Sequence, residues 1–260
     1  MTRIGCIIRQ EDYMLAAQAG YDFIEISGRN VCRMEQADFR NLLTLIHGGT
    51  LPCVGFNAYC TPDIKIAGPG FSEEVIRQYA YLCCERAEML GVSLIGIGSP
   101  FSRRLPEGFS RQRANEQAVS FYQITADVFR AAGITVCVEA LAGCYCNFIN
   151  TVEEAAEIVR LSDRPNLKLV IDFYNMEHER EADIDLSPYL DQIAHVHISD
   201  DAGFPQKRWF LKESKLNVHR DRVRRLINAG YQGDISLEVD LPLTLKEASQ
   251  SLETLRTAVS

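Results

Sequence analysis

Three carboxylates and one imidazole stand at or near the ends of four successive apolar, β-branched runs in the second half of this sequence. Glu139 closes residues 134–139, and Asp172 lies at the end of residues 166–173. His197 falls near the end of residues 193–199, and Glu238 near the end of residues 234–239. Taken singly, each reads as a solvated residue at a strand terminus. Taken together they converge, and converging carboxylates repel one another unless a cation joins them. Three carboxylates and an imidazole suit one divalent ion: Mn2+, Mg2+, Co2+ or Zn2+. Glutamates beside such an ion can also take up and return protons, the chemistry needed next to a carbonyl.

The elements that must position these residues alternate regularly. Strand-like runs fall at residues 3–8, 22–27, 51–57, 92–98, 134–139, 166–173, 193–199 and 234–239, and amphipathic helical stretches include residues 73–90, 111–132, 151–161, 218–229 and 244–258. A helix between consecutive strands returns the chain to start the next strand in the same direction, so the strands are parallel. Gly20, Gly91, Gly133 and Gly230 each follow a helical run, where a left-handed backbone suits glycine. Thr151 and Glu154 form a capping box. No G-x-G-x-x-G follows the first strand, and Gly96-x-Gly98 reads as close packing at the rim. Eight such units predict an α/β fold, a single (β/α)8 barrel of the kind that occupies about 250 residues, with residues 1–260 as one domain. No Pro-, Gly- or Ser-rich linker interrupts it, and residues 103–108 and 200–215 are among the longest irregular stretches.

In a parallel barrel the carboxyl ends of all strands face one rim, so the four residues share it. Alternation along each strand then turns Thr135, Cys137, Val170, His195 and Ser236 into the barrel beneath them. His195, one layer deeper, reads as a hydrogen-bonded core histidine rather than a ligand. Glu25 and Asn57, near the ends of the second and third strands, are further rim candidates.

The chain has 260 residues, 47% hydrophobic and 24% charged, with a formal net charge of -8. This composition is that of a soluble globular protein, and its acidity argues against binding nucleic acid. The stretch from Arg220 to Arg225 reads as the wet face of a helix. The apolar run at the amino end is too short for a signal-peptide core of about 7–15 residues or a membrane span of about 20. Nine scattered cysteines point to reduced thiols in a cytoplasm, and Cys144-x-Cys146 lacks the partners that a zinc-thiolate site requires.

Several segments carry a family resemblance: Val138-Glu139-Ala140-Leu141, Asn147-Phe148-Ile149-Asn150-Thr151, Ile171-Asp172-Phe173-Tyr174-Asn175-Met176, Ala194-His195-Val196-His197-Ile198-Ser199-Asp200 and the run from Gly230 to Glu238. With Gly20-Tyr21-Asp22-Phe23-Ile24-Glu25 they resemble the xylose isomerase-like barrel superfamily, in its sugar (phosphate) isomerase and epimerase branch. The resemblance spans nearly the whole chain. It implies that Glu139, Asp172, His197 and Glu238 bind one metal, often Mn2+, and that Glu139 and Glu238 form the acid/base pair. It also implies a small carbohydrate-like substrate and a homodimer or homotetramer, while the acidity and the short apolar run at the amino end lead us to expect no nucleic-acid or membrane partner.

Departures from the family pattern concern the substrate. Asn175 stands where the family usually carries His, and Asn can hydrogen-bond but cannot shuttle a proton. Tyr145 replaces a second Glu, while Lys207 or Arg208 stands for an Arg that follows the strand-seven His. Trp209 is either a sugar-stacking wall or a loop anchor. The expected reaction is epimerisation or isomerisation of a keto sugar, sugar acid or inosose. Alternatives are a lyase of the inosose or dehydroshikimate dehydratase type, a non-catalytic sugar-binding protein and an apurinic-endonuclease-like enzyme.

Overall fold

The alternation read from the sequence closes on itself. The computed structural model describes residues 2–203, 207–240 and 242–259. Strands β1 (Ile4–Ile7), β2 (Phe23–Ser27), β3 (Cys53–Asn57), β4 (Leu94–Ile97), β5 (Thr135–Glu139), β6 (Leu167–Asp172), β7 (Ile193–Ile198) and β10 (Asp234–Glu238) form a closed barrel. Around the ring they run β1-β10-β7-β6-β5-β4-β3-β2, each pair parallel. Every residue of β1 and β4 is buried, because helices cover the outer face and side chains fill the inside. The short pair β8 (Asp200–Asp201) and β9 (Arg208–Trp209) forms an antiparallel ribbon above the barrel.

The longer helices α3 (Gln36–Gly48), α4 (Glu73–Leu90), α6 (Arg111–Arg130), α7 (Val152–Ser162), α9 (Leu216–Asn228) and α10 (Leu245–Val259) lie outside the strands, joined by the shorter α1 (Tyr13–Ala19), α2 (Gly28–Arg33), α5 (Pro100–Arg103) and α8 (Phe173–His178). Short helices escape a periodicity reading because one or two turns show too little of the 3.6-residue repeat. Gly91 takes φ 74° and closes α4 with its N–H on Ala87 and Glu88 carbonyls. At the start of α7, Thr151 Oγ1 accepts from the Glu154 N–H at 3.1 Å, while Glu154 Oε2 accepts from the Asn150 N–H at 2.6 Å. The cap therefore spans one residue more than the simple box.

Two expectations are corrected. Cys32 of α2 and Cys83 of α4 are joined as a disulfide, so the thiols are not all reduced; the seven other cysteines form no disulfide. Residues far apart in sequence meet there because α2 packs on α4. The arginine stretch of α9 is not uniformly wet either: Arg222 is buried and donates to Glu177 at 2.9 Å. Among the described residues no helix is long and apolar enough to cross a membrane.

Candidate active site

The barrel register sets the four ligand-type residues side by side. Asp172 pairs across β6 and β7 with His197, and His197 pairs with Ser236 two residues before Glu238. One ligand-type atom from each of Glu139, Asp172, His197 and Glu238 lies within 4.8 Å of the others. His197 Nδ1 is 3.3 Å from Glu238 Oε2 and 3.9 Å from Glu139 Oε1. Arg208, delivered by the ribbon, reaches into the same cluster. Its guanidinium stands 2.5 Å from Asp172 Oδ2, 3.3 Å from Glu238 Oε2 and 3.9 Å from Glu139 Oε1.

Negative charge is in excess here. Burial, with Glu238 and Asp172 nearby, outweighs the attraction of the His197 imidazole and pushes the Glu139 carboxyl up from 4.5 to about 7. Burial would also raise Asp172, but Arg208 overcomes it and holds that carboxylate low. The His197 imidazole is lifted well above its ordinary range, as the surrounding glutamates outweigh its desolvation. Three carboxylate oxygens and one imidazole nitrogen, gathered within 4.8 Å of one another, are a donor set that fits a divalent ion.

A family model described as a xylose isomerase-like TIM barrel matches residues 14–258. The chain belongs to that family. A curated relative, D-psicose 3-epimerase of Ruminiclostridium cellulolyticum, is 24% identical over 169 residues, which cover 64% of this chain and 57% of the relative. The match thus spans little more than half of that relative's length. Two solved structures share the fold over essentially both whole chains. D-psicose 3-epimerase with D-tagatose from Clostridium cellulolyticum H10 has a TM-score of 0.78 at 17% identity, covering 100% of each chain. 3-Keto-D-glucoside 4-epimerase from E. coli, in its apo form, has a TM-score of 0.73 at 20% identity, covering 99% of this chain and 100% of its own.

In this member of the xylose isomerase-like family, a further polar layer supports the cluster from below. Glu25, a rim candidate from its sequence position, is wholly buried inside the barrel instead. Its Oε1 lies 2.7 Å from His195 Nε2 and its Oε2 3.4 Å from His197 Nε2. Burial would raise this carboxyl, but the two imidazoles hold it well below the usual range. His195 also meets Ser236 Oγ at 3.1 Å, the hydrogen-bonded core histidine expected of it. Cys137 and Val170 pack inside the barrel with Leu94.

Asn175 does not reach the open cavity. It lies buried beside the carboxylates, its Nδ2 donating to Asp172 Oδ2 at 2.8 Å and Glu139 Oε1 at 3.3 Å while its Oδ1 accepts the Ala142 N–H at 3.2 Å. Sequence reasoning missed Arg103, wholly buried, which donates to the Glu139 carbonyl at 2.8 Å. No strand pattern marks it; the short helix α5 brings it inward. Gly98 has a plainer role. A Cβ there would sit 2.4 Å from Glu139 Oε2, so the bare backbone makes room for the carboxylate.

Above the cluster opens a cavity of about 950 Å³ whose lining includes Asn57, Glu139, Tyr145, Lys207, Arg208 and Glu238. Trp209 is not among its walls; it packs half-buried against the core, as a loop anchor. Arg29 and Arg104 line the same cavity and were not singled out from sequence, where lone arginines after strands carry no periodic signal.

Proposed function

We propose that this protein is a divalent-metal-dependent sugar epimerase or isomerase acting on a keto sugar, sugar acid or inosose. One observation carries the reading: Glu139, Asp172, His197 and Glu238 meet at one end of the barrel, one ligand-type atom of each within 4.8 Å of the others. These four would hold the ion. Bound there, it supplies Lewis acidity toward a carbonyl and its neighbouring hydroxyl. The similarity to a D-psicose 3-epimerase and to a 3-keto-D-glucoside 4-epimerase supports the reaction class.

Glu139 and Glu238 belong to strands separated by β6 and β7, so a substrate carbon between them has a carboxylate on each side. One glutamate removes the proton beside the carbonyl, and the other returns a proton to the opposite face or to the adjacent carbon. The first outcome inverts a centre, and the second moves the carbonyl. Glu139, raised to about 7, is suited to exchanging a proton near neutrality. Asn175 fixes the orientation of Glu139 and Asp172 through its two donated bonds. Arg208 and Tyr145 line the space above, where they contact substrate hydroxyls.

Incubation with ketoses and inososes in D2O tests this reading, after metal stripping and after reloading with Mn2+, Mg2+, Co2+ or Zn2+. Deuterium enters at the carbon next to the carbonyl in the reloaded protein and not in the stripped one. Failure to retain any metal, together with no exchange on any substrate, overturns the proposal.

A further inference from the structure

The cavity over the proposed metal centre is electrically lopsided. Glu139 and Glu238, with Asp172 beneath them, sit on β5, β10 and β6, and Arg208 already answers them. On the β2–β4 side of the same cavity, Arg29 lies on α2 directly after β2, and Arg104 follows α5 after β4, the strand next to β5. Neither forms an ion pair with a carboxylate among the described residues. Arg104 gives one N–H to the Tyr145 carbonyl and lies over the Phe101 ring at 6.0 Å, leaving further donors unused. Lys207 adds a third cation beside Asp240, and Asp240 in turn accepts the Arg208 backbone N–H at 2.7 Å. In a chain of net charge -8, this wall is locally positive.

The same wall is built on unusual backbone. Ala58 and Ser99, which line it, hold φ at 44° and 51°, a left-handed conformation that costs free energy for residues with a Cβ. Both are tied in place. The Ala58 carbonyl accepts the Arg29 N–H at 3.2 Å, and Ser99 Oγ accepts the Cys60 N–H at 3.0 Å. Strain held by specific bonds beside two cations without carboxylate partners marks a surface shaped for a ligand. The volume, about 950 Å³, is near the top of the range of roughly 300–1,000 Å³ for small-molecule pockets. It leaves room for a group beyond the carbons that react.

We propose that Arg29 and Arg104 form an anion subsite, so that the substrate is a keto sugar carrying a carboxylate or a phosphate at the end remote from the reacting carbons. This rests on the epimerase reading above and narrows its substrate class. Both anions offer what the arginines recognise: oxygens that accept paired N–H donors while the charge is neutralised. The reacting carbonyl lies over Glu139 and Glu238, and the anion points toward the β2 and β4 side.

Three ketoses with one carbon skeleton separate the possibilities: D-fructose, D-fructuronate and D-fructose 6-phosphate. Their binding is measured by ligand-observed NMR on the metal-free and the Mn2+-loaded protein, and turnover by deuterium exchange. The anionic ketoses bind at least about tenfold tighter than D-fructose, a difference that shrinks as salt is added. Whichever anion gains more identifies the group. In the double variant Arg29→Gln/Arg104→Gln the preference falls to within about threefold, while Arg113→Gln, on the outer surface of α6, keeps it. Equal binding of all three, or a preference that survives in the double variant, overturns the subsite even if exchange is observed. Absence of exchange on these three ketoses bears on the epimerase reading, which the wider panel above decides, and the binding ratio alone still decides the subsite.

Discussion

Two layers of the barrel interior use the same residue types to opposite ends. In the lower one, Glu25, His195 and Ser236 satisfy one another: a single imidazole nitrogen meets a carboxylate at 2.7 Å and a hydroxyl at 3.1 Å. In the upper one, Glu139, Glu238 and Asp172 crowd three carboxylates around the His197 imidazole and the Arg208 guanidinium. The titration follows this difference. Glu25 faces two imidazoles and is held well below the usual carboxylate range, despite complete burial. Glu139 is raised by burial first and then by two neighbouring carboxylates, against a single imidazole, and stands at about 7. Burial alone does not decide whether a glutamate is inert; the sign of its neighbours does. The lower layer holds geometry, and the upper one gathers the charged groups to which we assign the metal.

The upper layer breaks most severely. Glu139→Gln or Glu238→Gln keeps size and hydrogen bonding but removes the proton acceptor we propose, and general acid/base groups contribute about 10²–10⁴-fold to rate. Deuterium exchange next to the carbonyl is expected to fall by at least about a thousandfold in either variant, with the melting temperature little changed. A loss below about tenfold in both would remove the two glutamates from the chemistry.

Glu25→Gln tests whether the lower layer serves the upper. A carboxylate behind a ligating imidazole fixes its orientation and raises its basicity, and removing such a partner costs about 10–100-fold in metal affinity. Glu25→Gln should therefore weaken metal binding by that amount, while kcat at saturating metal changes less. Unchanged metal affinity alongside a lowered melting temperature would make Glu25 purely structural.

Proton competition sharpens the contrast further. In the metal-free protein Glu139 keeps its proton up to about pH 7, and His197 keeps its own above its ordinary 6.5. A metal must displace both protons. Apparent affinity therefore rises with pH, by about tenfold per unit for each proton released, and the slope eases above pH 7 once Glu139 has ionised. Competitive titration across this range reads the slope directly. A flat profile would mean that neither group ligates.

How much of this was legible beforehand depends on the range of each signal. Strand runs and the glycines after helices are local, and they gave all eight barrel strands and, apart from α3, the long helices, with their ends shifted by a residue or two. Parity along each strand then carried Glu139, Asp172, His197 and Glu238 to one rim and His195 to the layer beneath. Glu25 followed the same parity, but whether it faced open rim or closed interior depended on how deep β2 sits, which only the closed ring determines. Arg208 was a candidate whose partner could not be assigned, because a ribbon after β7, not a helix or barrel strand, turns it inward. Arg29, Arg103 and Arg104 gave no signal at all. Each sits on or beside a short helix whose direction is set by packing. The meeting of Cys32 with Cys83, 51 residues apart, is likewise a matter of tertiary contact.

The smallest expected effect lies at Ser236. Its hydroxyl gives His195 a second partner, yet Glu25 already bonds the same nitrogen at the shorter distance. Ser236→Ala removes one hydrogen bond without stranding a charge, so it should cost about 1 kcal/mol of stability. The ring of His195 remains held by Glu25, and that carboxylate still faces His197. Metal affinity and exchange rate should therefore stay within about threefold of the wild type, as only a neutral bond is lost. A Ser236→Ala variant that lost metal as severely as Glu25→Gln would mean that the lower layer works as one chain of bonds in which each link matters. It would then be as exacting as the layer above, and the division between a supporting layer and a site would no longer hold.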